Sequence, residues 1–458
     1  MNQKQTLSTG IAATAIIALS AVARLYFGDV PHTAHAAARS PSRLASVDQD
    51  LRYVPTTRPF EPQPQHPPEP TTQNTDADKP PQQWQRLTGD WGGIRTRLED
   101  RGITFEGSIA GYFGKNLTGG VNTGKNGGAY LLNINATLDS QKLWGYPGGT
   151  FFINFRTENG LHTSLDGSLE STSHLYSPER TEASEAWYEQ KLLYDKVRVR
   201  IGKIDANTEF ANNSNGGEFL NSYASNAPTI VAFPTDPNPA FGVDVFVYPT
   251  SNFYAGIGAY DGSLQTGVST GLTGPANVFH LHSEFLIAEV GATWTAPGAR
   301  DGRLGIGVWH DTAALTRFGG GTENGATGPY LTLDQTLWRK NPDVDGDKQG
   351  IAMFGTAGYA DPGISAVNYQ FGGGLKWTGP ITSRGGDILG FGASYIRLSA
   401  DTGSGFTRPD ETTIETFYKL RLNTWFSVQP DLQYIHNPGG VASRHDAIAF
   451  TLQALVDF

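Results

Sequence analysis

The chain has 458 residues, too many for one ordinary soluble core, yet only 38% are hydrophobic and its mean hydropathy is negative. Its 56 glycines and 11% aromatics suit strands that are apolar on one face only. A formal net charge of −10 argues against nucleic acid as a partner, and the absence of cysteine excludes disulfides, thiolate metal sites and cysteine nucleophiles.

The amino terminus reads as an export signal over residues 1–36. Lys4 precedes the apolar run Ile11 to Ala23, and Ala34-His35-Ala36 offers a small-residue cleavage site before Ala37. An uncleaved anchor would need about 20 apolar residues, more than this run supplies. Residues 37–83 are rich in Pro, Gln and Thr, as in PQPQHPPEP, and read as an extended, disordered linker that buries no core. From Trp84 to Phe458 proline falls and glycine-punctuated alternation begins.

The period is two almost throughout. Tyr130, Leu132, Ile134, Ala136 and Leu138 share one face and Asn133, Asn135, Thr137 and Asp139 the other. Phe151, Ile153 and Phe155 oppose Asn154, Arg156 and Glu158; Val197, Val199 and Ile201 oppose Arg198 and Arg200. Such alternation predicts strands with one apolar face. The predicted strands are 104–113, 130–139, 149–158, 183–193, 196–204, 240–248, 252–260, 284–296, 302–311, 328–337, 351–360, 368–378, 387–398, 413–427, 430–436 and 445–458.

A soluble sandwich would alternate in the same way, so the connections carry the distinction. After odd-numbered strands they are mostly long, starting near Gly114, Asn159, Asp205, Asp261, Thr312 and Ser399. After even-numbered strands they are mostly short, as at Tyr194-Asp195, Pro249 to Ser251, Pro297 to Asp301 and around Gln429. The stretches Trp338 to Gly350 and Asp361 to Val367 break the rule. One-sided loop lengths predict an all-β fold: a transmembrane antiparallel up-and-down barrel of sixteen strands, with short periplasmic turns and long extracellular loops. In the closing stretch Ile448, Phe450, Leu452, Ala454, Val456 and Phe458 recur at every second position, and a terminal amphipathic strand ending in Phe458 resembles the signal read by the barrel assembly machinery.

Five stretches carry a family resemblance: LTGDWGGIRTRLEDRGITFEG (Leu87 to Gly107), EAWYEQKL (Glu185 to Leu192), RIGKIDANTEFA (Arg200 to Ala211), GAYDG (Gly258 to Gly262) and FSVQPDLQYIHNPGG (Phe426 to Gly440). Together they make the chain resemble the carbohydrate-selective porin family, also called the OprB family. The resemblance implies a sixteen-stranded barrel in the bacterial outer membrane. Through it small sugars such as glucose would diffuse passively to the periplasm, with no catalysis and no cofactor. The partners so implied are small carbohydrates and outer-membrane lipid; monomer and homo-oligomer both stay open. The Pro-rich segment departs from a minimal member of the family.

A sugar channel needs a polar, narrowed lumen whose contacts are weak enough to release the solute. Alternation turns Asn154, Arg156, Glu158, Arg198, Arg200, Glu185 and Trp187 inward. The connection from Asp205 to Pro239 is the longest. If it folds inward, as the corresponding loop does in general porins, Lys203, Asp205, Asn207, Glu209, Phe210, Asn212 and Asn213 join the constriction, charged groups binding hydroxyls and aromatic faces stacking on sugar rings. Each such charge could equally do no more than solvate the channel wall.

Two other groupings invite a metal reading. DVDGD (Asp343 to Asp347) resembles part of a calcium loop, but Lys348 stands where glycine is expected and Phe354 at the distal ligand position, which favours a solvated turn. His280, His282 and Glu284 share one side of a strand, which favours a polar strand end. A barrel enzyme would need a Ser/His constellation in a recognisable motif, and none is found. A soluble sugar-binding protein would leave the terminal Phe strand and the one-sided loops unexplained.

Overall fold

The computed structural model describes residues 86–160, 165–173, 179–224, 227–262, 283–344 and 346–458. The export signal, the whole Pro-rich segment, Asp345, His280 and His282 lie outside the described residues. Sixteen antiparallel strands close into one barrel. They are β1 (Ile103–Thr118), β2 (Asn126–Asp139), β3 (Gly149–Asn159), β4 (Arg180–Leu192), β5 (Val197–Ile204), β6 (Ala240–Thr250), β7 (Phe253–Asp261) and β8 (Glu284–Ala296). There follow β9 (Arg300–Thr316), β10 (Thr322–Arg339), β11 (Gly350–Tyr359), β12 (Val367–Thr378), β13 (Ile388–Leu398), β14 (Asp410–Arg421), β15 (Phe426–His436) and β16 (Ala447–Asp457).

Each strand pairs with its chain neighbours, and β1 pairs with β16 from Ser108 opposite Asp457 to Thr118 opposite Ile448. Closure leaves no unpaired edge, the condition for a sheet to sit in hydrocarbon. The seam ends on a tight contact. Phe458 and Gly107 exchange both backbone hydrogen bonds, at 2.9 and 3.0 Å, and a Cβ at Gly107 would stand 2.4 Å from the Phe458 ring.

The outer surface is apolar. Ile109, Phe113, Phe155, Ile306, Phe371 and Phe391 are exposed, Phe371 by 57%. A contiguous surface of this kind is a lipid contact, not the face of a water-soluble domain. Exposed Trp144, Trp338 and Trp377 lie near the short-turn end, and Tyr130, Tyr369 and Tyr434 near the other, as two aromatic girdles. Among the described residues no helix is long and apolar enough to cross a membrane.

Connections 193–196, 251–252, 297–299 and 422–425 are tight, and 160–179, 205–239, 262–283 and 399–409 on the opposite end are long. Two expectations need correction. The connection after β9 is only 317–321, because both strands continue into residues that read as loop; Ala314, Leu315 and Thr316 pair with Asn324, Glu323 and Thr322. Gln429 is not a turn but a buried residue inside β15. Pro430 keeps its place opposite Leu452, and pairing lapses only toward β14, between Phe417 opposite Asp431 and Leu420 opposite Val428. The lapse falls on a residue that has no N–H to donate.

At the short-turn end the block from Arg86 folds into a single-turn 3-10 segment and helix α1 (Ile94–Asp100), which contacts β1. The buried Arg95 guanidinium donates to the Gly89 carbonyl at 3.0 Å and the Phe105 carbonyl at 3.3 Å, 4.3 Å from the Trp91 ring centroid.

Candidate pore constriction

Connection 205–239 folds into the barrel and crosses it. Its ends are stapled together: Ala206 N–H donates to the Pro234 carbonyl at 2.8 Å, and Asp205 accepts the N–H groups of Asn207 at 2.9 Å and Asp236 at 3.3 Å. Phe210, Ile230 and Phe233 then pack against Phe246, Tyr254, Tyr260, Phe285, Ile287, Trp309 and Tyr330 from the inner face of β6–β10. In that sector the lumen wall is apolar because the loop covers it.

Carboxylates on the wall hold the loop by its backbone. Glu289 on β8 accepts from Ala211 N–H at 3.0 Å, Asp334 on β10 from Ser214 at 3.0 Å and Asn215 at 2.8 Å, and Glu415 on β14 from Leu220 at 2.7 Å and Asn221 at 3.2 Å. Backbone hydrogen bonds of this kind contribute about 0.5–1.5 kcal/mol each net, and five of them together fix the loop's course. Phe219 seats the tip between Phe354 and Phe417, with ring centroids 5.1 and 5.0 Å away.

Residues 165–173, after β3, form a second inward connection. Glu411 accepts from Leu169, Glu170 and Gly439 N–H at 3.0, 3.0 and 2.6 Å. This segment meets the first where Ser222 N–H donates to the Ser171 carbonyl at 3.0 Å, while Gln433 bridges Asn221 and Thr172.

The residues singled out from sequence gather on β3–β5 and the start of the loop, as two buried ionic networks. Arg156, 1% exposed, donates to Asp236 at 2.5 Å and lies 3.6 Å from Glu158; Lys203 pairs with Glu182 at 3.3 Å, and Glu185 accepts Asp205 N–H at 3.2 Å. In the second network Arg198 and Arg200 share Glu189 and Glu209, with Arg200 2.9 Å from Glu189 and 2.6 Å from Glu209. Trp187 stacks on Phe152 at 4.8 Å with the Arg200 guanidinium 4.0 Å from its ring. These partners occupy faces expected to meet sugar. Asn207 and Phe210 are buried, whereas Asn212 to Asn215 stay partly exposed and Gly217 exposed.

The two buried loop carboxylates differ. Burial, with Asp236 and Glu185 adding to it, raises Asp205 well above the usual carboxylate value. Burial also opposes ionisation of Glu209, but Arg198 and Arg200 outweigh it and hold that group below its usual value.

Alternation alone missed Glu182. A bulge opposite Asn154 and Phe155 inserts Ser184, so Ser184 and Glu185 both point inward and the parity reverses upstream. Asp236, Glu289, Asp334, Glu411 and Glu415 were missed because their roles depend on where the loops go. The metal-like stretch DVDGD falls in turn 340–349, where Asp347 accepts from Asn341 at 2.5 Å and from Gln349 N–H at 2.8 Å.

A family model described as carbohydrate-selective porin, OprB family, matches residues 125–458. Porin B of Pseudomonas aeruginosa is 23% identical over 435 residues, covering 81% of this chain and 91% of that protein. Two structures of Pseudomonas putida OprB share the fold. The high-pH form has a TM-score of 0.73 at 20% identity, covering 84% of this chain and all of that one. The low-pH form has a TM-score of 0.55 at 19% identity, covering 82% and 98%.

Proposed function

Because this chain belongs to the OprB family of carbohydrate-selective porins, we propose that its selectivity is set by connection 205–239. The protein is a sugar-selective channel of the Gram-negative outer membrane, and it is not an enzyme. The observation that supports the reading is the loop's passage from β5 to β14 inside the barrel, held by carboxylates on β8, β10 and β14.

In this reading Arg156, Glu158, Glu185, Trp187, Arg198, Arg200, Lys203, Asp205, Asn207, Glu209 and Phe210 build the near side of the constriction and fix the loop's position. The partly exposed amides and hydroxyl of Asn212, Asn213, Ser214 and Asn215 are the groups that exchange water for sugar hydroxyls. Neutral hydrogen bonds contribute about 0.5–1.5 kcal/mol net, which keeps the site weak and reversible. Phe458 acts as the assembly signal for the barrel machinery.

The test is single-channel recording with glucose titration. Glu415→Ala removes the anchor at the loop tip, and should raise conductance and current noise while weakening glucose block several-fold. Wild-type conductance and block in a folded Glu415→Ala barrel would overturn the assignment of the loop as the constriction.

A further inference from the structure

On the wall facing the buried networks the cations are not all paired. Lys376 lies two residues before the short-turn end of β12 and Lys419 two residues before that of β14. Both belong to the inward-facing series of their strands, which includes the buried Gln370 on β12 and the buried Glu415 and Phe417 on β14. They flank β13, Lys376 opposite Gly390 and Lys419 opposite Ile388. Lys419 is neutralised by Glu218 of the constriction loop at 2.6 Å.

Lys376 makes no hydrogen bond or ion pair among the described residues. The charges acting on it are Glu218 and Asp334 of opposite sign, and Lys348 and Lys419 of like sign. Neither carboxylate is idle: Glu218 holds Lys419, and both oxygens of Asp334 accept loop N–H groups. Arg421, next inward on β14, is exposed and carries a second cation at the same mouth.

A neutral sugar gains little from an uncompensated ammonium, whereas a confined lumen with low-dielectric walls concentrates the field such a charge makes. We propose that Lys376, with Arg421 at the same mouth on the short-turn side of the loop, is a binding station for the oxyanion of a charged sugar, a carboxylate or phosphate ester. Its ammonium donates to that oxyanion in a charge-assisted hydrogen bond, and Glu218, fixed by Lys419, accepts from the sugar's hydroxyls. The proposal rests on the channel reading and extends it to anionic carbohydrates.

Full-length protein in planar bilayers tests it, with current block titrated separately by gluconate, glucose 6-phosphate and glucose. Lys376→Met should raise the half-blocking concentration of gluconate, glucose 6-phosphate or both about tenfold, leave glucose block unchanged and move the reversal potential in a KCl gradient toward cations. Lys376→Arg should restore both properties. Whichever anion loses more identifies the preferred oxyanion. Equal loss of glucose and anion block, or no loss of either, would overturn the station. Wild-type protein that glucose fails to block would count against the sugar constriction instead, while the contrast between Lys376→Met and wild type with gluconate would still decide this site.

Discussion

Phe458 and Gly107 form the last contact of the barrel seam. The carboxy-terminal ring occupies the space a side chain at position 107 would fill, and the two backbones complete the last rung of the seam. Filling that notch forces the ring or the strand to move, an overpacking cost of about 1–3 kcal/mol. Gly107→Val should therefore lower the fraction of heat-modifiable, folded barrel in outer membranes, as deletion of Phe458 should. Gly107→Val protein folding at wild-type yield would show that the contact is incidental. Glycines inside the strands repeat the principle. Tyr254 lies over Gly291, Tyr330 over Gly307 and Phe246 over Gly256, so inward aromatics lie flat where the neighbouring strand offers no side chain.

The constriction loop behaves as an element with a rigid footing at both ends. Its return leg is held by Arg156 on Asp236, deep in the wall. Removing one member of a buried pair costs about 3–5 kcal/mol, largely because the other is left uncompensated. Arg156→Ala should thus free the return leg, raise conductance and weaken glucose block about tenfold, whereas Arg156→Ala with Asp236→Ala should lose less than the sum of the single changes. Additive losses in that cycle would mean the pair does not act as a unit. The strands themselves were legible because alternation is local: β8 is read at its observed bounds, and all sixteen strands are anticipated. The loop anchors were not, because Ala211 meets Glu289 across 78 residues and Leu169 meets Glu411 across 242. Nor does any local pattern announce the Ser184 bulge that turns Glu182 inward, or the apolar inner faces of Phe285 and Trp309, which make sense only beneath a loop.

For the molecule as a whole, the barrel turns the usual arrangement inside out, with its apolar belt outside and its charges within. Among the described residues that architecture closes through the strands from Ile103 to Asp457 and the seam contact of Phe458. Joining residue 36 directly to residue 84 should give a barrel that folds and conducts like the full chain, measured by heat-modifiability and by single-channel current; loss of either would make residues 37–83 part of the working channel. The way the inward connections are tied has a consequence for how such a channel can diversify. At Leu169, Glu170, Ala211, Ser214, Asn215, Leu220 and Asn221 the tie uses the main chain, so every residue except proline can supply it. The wall dictates where the loop runs, and the partly exposed side chains from Asn212 to Asn215 are left to vary what it greets. A lineage could retune its diet by substitutions along the loop alone, with the gate still hanging from the same hooks.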